Sequence, residues 1–123
     1  MVEPWNTAWS RWVYRRWHHE PFEPEARDWE IAGAGPLSTA NGALPWILFE
    51  RDRQRFAALH PEWVLRRLEP MMPMRYLLAG GISLRNLLPG VTGPLWRGAE
   101  RLLRPWRDRL AMFALIVLER RPV

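Results

Sequence analysis

The sequence predicts an α/β chain, mostly helical, with an antiparallel strand pair near 63–69 and 111–119 that belongs to a larger sheet than the chain can build. Three observations lead there. Trp63-Val64-Leu65-Arg66-Arg67-Leu68-Glu69 alternates imperfectly between apolar and polar residues and is bounded by Pro61 and Pro70, as a strand is. Met112 to Leu118 is a continuous apolar run followed by Glu119-Arg120-Arg121-Pro122, the pattern of a strand buried on both faces. Such a strand needs a neighbour on each side to satisfy its backbone, and only the extended stub Val2 to Trp5 remains to supply one.

Between the strands the periodicity is helical. Asn6-Thr7 reads as an N-cap, and Trp9, Trp12, Val13 and Trp17 then fall on one face, opposite Arg11 and Arg15. His18-His19 closes that helix, and Pro21 and Pro24 stop it. Glu20 to Pro36 is rich in Pro, Gly and acids, which marks a long loop of the kind that forms a lid or a connector. Ser38-Thr39-Ala40-Asn41 offers caps for a second helix with Leu44, Ile47 and Leu48 apolar and Pro45 in its first turn. Asp52 caps a further turn to Leu59, with Arg55 outward and Phe56 and Leu59 inward. After the first long strand, Met71 to Gly93 is a Met- and Gly-rich connection with one helical turn at Arg75 to Ala79. A third long helix starts near Pro94 with Leu95, Ala99, Leu102, Leu103 and Trp106 inward, and Pro105 kinks or splits it. The whole forms one domain, 1–123: a cap over about 6–60, then the terminal strands and helix over 61–121.

Composition narrows the function classes. With 48% apolar and 25% charged residues the 123-residue chain has the make-up of one small folded unit, not of a disordered tail. There is no Cys, so disulfides and thiolate metal sites are excluded. Adjacent histidines point apart and His60 has no spaced partner, which argues against a metal centre. No basic region followed by an apolar stretch opens the chain, and the apolar run from Ala111 to Leu118 is far short of the roughly 20 residues that span a bilayer. A cytoplasmic protein is the expectation. The net charge of +5 raises nucleic acid or anionic membrane as partners, but acids interrupt the arginines in Glu50-Arg51-Asp52-Arg53 and Arg107-Asp108-Arg109, which speaks against nucleic acid.

Three groups of residues carry candidate chemistry. In His18-His19-Glu20, His19 or Glu20 is placed to act as a general base; the structural alternative is a helix end where His complements the dipole. The nine tryptophans, with Trp9, Trp12 and Trp17 close to Arg11, Arg15 and Arg16, suit a helix lying on an anionic bilayer, or packing onto a sheet. Met71, Met72 and Met74 fill irregular space, in a pocket or in a core.

Val2-Glu3-Pro4-Trp5, Tyr14 to Phe22, Gly35 to Glu50, Tyr76 to Ser83 with Leu88-Pro89-Gly90, and Asp108 to Glu119 together resemble the C-terminal half of a class I S-adenosylmethionine-dependent methyltransferase of a bacterial branch. The resemblance implies the end of a Rossmann-like sheet: a strand, a helical excursion, then a final antiparallel strand pair. It implies methyl transfer to a small or lipid-like acceptor, with His18, His19 and Glu20 as catalytic candidates and Trp5, Asn41 and Tyr76 as substrate contacts. S-adenosylmethionine is the cofactor of the complete enzyme. The acid-x-Gly-x-Gly turn that such enzymes use is missing here, and Ala32-Gly33-Ala34-Gly35 follows no apolar strand and opens no helix directly, so no cofactor is expected on this chain alone. The expected partners are then an N-terminal half, or a second copy joined through exposed apolar edges. The alternative is a non-enzymatic module that docks on a membrane or a protein through the Trp/Arg helix.

Overall fold

Proline placement already says which strands sit at the rim of the sheet. Pro4 and Pro70 lack the N–H that an inner strand must donate, whereas 113–120 contains no Pro. The computed structural model describes residues 1–18, 20–29, 40–71 and 92–122. It arranges three strands accordingly, with β1 (Val2–Pro4) and β2 (Trp63–Met71) on either side of β3 (Phe113–Arg120) and antiparallel to it. The register pairs Val2 with Leu115, Leu65 with Leu118 and Leu68 with Ile116. Between Leu65 and Arg67 the pairing slips by one residue, so Arg66 is the extra residue of a bulge, and its guanidinium pairs with Glu119 across the strands. That bulge is why the alternation in 63–69 is imperfect: it returns Leu65 and Leu68 to the same face, where both pack on one core cluster.

The helices occupy the two long connections. Helix α1 (Ala8–Trp17) opens on a capping box, with the Ser10 N–H donating to Thr7 Oγ1 at 3.0 Å and the Thr7 N–H donating to Ser10 Oγ at 2.8 Å. Thr7 Oγ1 also donates to the Ala111 carbonyl at 2.9 Å, which ties the start of the helix to the lead-in of β3. Helix α2 (Leu44–Trp46) carries Pro45 in its first turn and runs into a π-helical turn, Ile47–Arg51, then into α3 (Arg53–Leu59). Helix α4 (Gly93–Leu102) ends before Pro105 in a 3₁₀ turn, Arg104–Trp106, and α5 (Arg107–Leu110) leads into β3.

Two core clusters meet at the half-buried Trp46. One joins Val13 and Tyr14 of α1 to Phe22, Ala43, Ile47 and Met112. The other lays Phe49 and the partly buried Phe56 on Ala114 and Ile116 of the sheet, beside Trp5.

Several expectations need correction. The run 113–118 is not buried on both faces: Ala114 and Ile116 are buried, but Val117 is exposed. On α1 the buried residues are Ser10, Val13 and Tyr14, and Trp12 and Trp17 are exposed. Ser10 is not apolar, yet both its hydrogen-bonding groups are used within the cap, so it is buried without penalty. Leu59, expected inward, is exposed, as are Leu95, Leu102 and Trp106, and only Ala99 and Leu103 of the expected inner stripe are half-buried. Asp52 makes no side-chain cap, because its carboxylate is taken by Arg51 and Trp29. The turn expected at 75–79 lies outside the described residues.

Candidate functional site

Strand β1 stops at Pro4, and the chain turns through Trp5 into α1. Tyr14 and His18 lie four residues apart, so they stack along one side of α1 and its C-cap. The helix ends at Trp17 with His18 extended as its C-cap, and Phe22 packs back on Tyr14. The result is a cleft of about 160 Å³ lined by Pro4, Tyr14, His18, Glu20, Pro21, Phe22, Gly42 and Phe113.

Its walls are aromatic. The Tyr14 and Phe22 rings are stacked, with centroids 4.7 Å apart and planes at 20°, and His18 meets Tyr14 edge-on at 5.5 Å. The Tyr14 hydroxyl donates to the Met112 carbonyl at 3.3 Å, which also accepts the Trp5 N–H at 2.9 Å. Gly42 closes the floor: its N–H donates to the Pro21 carbonyl at 2.9 Å, and a Cβ there would sit 3.4 Å from the Phe22 ring.

The polar groups of the cleft are His18 and Glu20. The Glu20 N–H donates to His18 Nδ1 at 3.1 Å, so in the neutral ring that nitrogen is unprotonated and the proton sits on Nε2. The Glu20 carboxylate lies 3.9 Å from the same Nδ1 and is 35% exposed. A carboxylate and an imidazole are the two side-chain types most used to move protons, and the cleft sets both beside an aromatic wall.

The loop that forms this cleft is pinned from both sides. Glu25 is bridged by Arg11 and Arg15 of α1, both at 3.2 Å. The Asn41 carboxamide accepts the Glu23 N–H at 2.9 Å and the Ala43 N–H at 3.0 Å, and donates to the Glu23 carbonyl at 2.8 Å. Arg51 NH1 donates to the carbonyls of Pro24 and Ala26, while its Nε and NH2 grip Asp52 at 2.8 Å each. Trp29 Nε1 donates to Asp52 at 2.9 Å, and the Arg55 guanidinium lies 4.5 Å over the Trp29 ring. These donors hold the Asp52 carboxyl at about 2, the Arg51 hydrogen bond contributing most and Trp29 next.

The six candidates from sequence therefore separate. His18 and Glu20 share the cleft. Asn41 acts as a brace behind it. Trp5 is buried in the core and borders a second cleft of about 350 Å³, with Asn6, Trp46, Glu50, Leu68 and Arg107. His19 and Tyr76 lie outside the described residues, as do Met72, Met74 and the Ala32-Gly33-Ala34-Gly35 segment. The aromatic wall of Tyr14 and Phe22 goes beyond the residues that the sequence marks, and the i, i+4 spacing of Tyr14 and His18 is the one sequence signal for it.

Of the described glycines, Gly42 closes on Phe22, while a side chain at Gly93 or Gly98 would meet nothing within 4 Å. Among the described residues there is also no group of three metal-ligating side chains. Comparison with protein-family models, curated proteins and solved structures found no match.

Proposed function

We propose that this chain is the substrate-cap and terminal-strand portion of an S-adenosylmethionine-dependent methyltransferase, and that the Tyr14–Phe22 cleft receives the methyl acceptor. One observation carries the reading: the order of elements around the cleft. A strand (β1) is followed by a helical excursion (α1 to α3) and then by an antiparallel pair, with β3 returning beside β1. This is the order the resemblance implies for the end of such a sheet. The cleft lies past the carboxyl end of β1, where ligands of open α/β sheets bind. Its lining also comes from segments that carry the resemblance: Tyr14 to Phe22, Gly42 and Phe113.

The methyl donor supplies an electrophilic carbon, and other residues than those described here would hold it. The residues of this chain act on the acceptor. Glu20 takes the proton from the attacking oxygen or nitrogen, His18 positions Glu20 through the hydrogen bond at its Nδ1, and the Tyr14 and Phe22 faces exclude water and fix the acceptor's plane. A cleft of about 160 Å³ admits a small acceptor or the head of a lipid, not a large substrate.

The test is a methyl-transfer assay on the full reading frame that contains this chain, with labelled S-adenosylmethionine and small or lipid-headgroup acceptors. Transfer is expected, with Glu20→Gln lowering kcat by roughly 10²-fold while donor affinity stays unchanged. Titration of S-adenosylmethionine into the isolated chain is expected to give no binding. A micromolar constant there, or full activity in Glu20→Gln, would overturn the assignment.

A further inference from the structure

The largest apolar exposure in the described chain is on α4 and the turn after it. Leu95 is 69% exposed, Leu102 75% and Trp106 52%, and no residue of α4 is buried. Leu95 and Leu102 are seven residues apart, two helical turns, so they form one stripe along the outer side, while Trp96, Ala99 and Leu103 face inward and are half-buried. Single exposed leucines are ordinary, but two in one stripe followed by an exposed Trp are more apolar surface than scattered exposure leaves.

Charge decides what it binds. Between 93 and 110 there are five arginines (97, 101, 104, 107 and 109) against Glu100 and Asp108, so the segment carries 5 − 2 = +3. Arg97, Arg101 and Arg104 are exposed as well; on the helix Arg101 lies roughly a quarter-turn round from Leu102 and Arg97 farther round still, so these long side chains occupy the other flank of the solvent face. A second copy of a chain with net charge +5 would bring more arginine to this face. An anionic bilayer brings what the face lacks: phosphates for the guanidiniums and an acyl boundary for Leu95, Leu102 and Trp106. Helix α1, the other Trp/Arg element, is less suited, because Arg11 and Arg15 are already bridged to Glu25. No helix among the described residues is long and apolar enough to cross a membrane, so the contact is a surface one.

We propose that the outer face of α4 and the following turn docks on an anionic membrane surface, with Leu95, Leu102 and Trp106 in the interface and Arg97, Arg101 and Arg104 on headgroup phosphates. The proposal stands apart from the methyltransferase reading and does not depend on it.

Co-sedimentation of the chain with vesicles of phosphatidylglycerol in phosphatidylcholine, and with phosphatidylcholine alone, tests it. Binding is expected at least tenfold stronger on the anionic vesicles and weaker as salt rises. Leu95→Ser with Leu102→Ser should lose tenfold or more, and Arg97→Gln with Arg101→Gln should lose about fivefold per charge. Both pairs are exposed, so thermal unfolding followed by circular dichroism should be unchanged. Equal binding to both vesicle types, or a leucine pair that binds like the parent, would overturn the proposal. So would a large drop in Tm for the leucine pair, which would place those side chains inside the protein. A concentration-dependent doubling of mass that the leucine pair abolishes, without vesicle binding, would assign the face to a second copy instead.

Discussion

Asp52 holds more of the cap together than any other single carboxylate described here. It receives Arg51 through two hydrogen bonds and Trp29 through a third, and Arg51 in turn grips the carbonyls of Pro24 and Ala26. Its folded value of about 2 is below the unfolded 3.8. A lowered carboxylate stabilises the fold above the unfolded value, and that contribution is lost as pH falls from about 4 through about 2. After solvent screening it is worth about 1 kcal/mol at neutral pH. Asp52→Asn should therefore lower stability by about that much at pH 7 and show a shallower loss between pH 4 and pH 2. Urea midpoints across that range measure both effects. Thr7→Ala removes the cap of α1 together with its bond to the Ala111 carbonyl, and should cost about 1–2 kcal/mol by the same measurement.

At the scale of elements, α1 shows what pattern reading finds and what it loses. The helix and its cap region follow from residue type and spacing. The helix in fact ends at Trp17, ahead of Pro21, and its buried side is not legible either, because Ser10 is buried by hydrogen bonds and two large tryptophans are left outside. Trp12 stacks on Trp9 at 5.5 Å and meets Trp17 edge-on at 4.9 Å, so the three cover one another along the helix. Val13→Ala should then cost about 2 kcal/mol and Trp12→Ala well under 1 kcal/mol, opposite to a ranking by side-chain size. Chemical denaturation of the two variants compares them directly. The strands were legible because prolines frame them and alternation survives the bulge at Arg66. The π-helical turn at Ile47–Arg51 and the outward stripe on α4 were not, since both depend on what packs against the segment and not on its own spacing. Of the candidate site, His18 and Glu20 were visible as chemistry-bearing residues, while the aromatic wall was hidden: Phe22 packs back on Tyr14 from beyond the helix end.

For the molecule as a whole, the sheet depends on β3. Both β1 and β2 find their hydrogen-bonding partner there, and Ala114 and Ile116 form the floor of one core cluster. Ile116→Asp buries a charge with no partner at that floor and should unfold the chain outright. Loss of the cooperative melting transition in circular dichroism checks this, and Val117→Asp, at an exposed position of the same strand, should melt within a few degrees of the parent.

The central place of β3 also governs how the protein comes into being. A ribosome releases β1 and β2 before their shared neighbour exists, and Val2 must wait for Leu115 across nearly the full length of the chain. Closing contacts this distant in sequence is slow. Until β3 has been made, the nascent polypeptide presents two unzipped edges and uncovered apolar side chains, the kind of surface that chaperones bind. Recombinant yield should therefore respond more to growth temperature and chaperone supply than the stability of the finished protein would suggest.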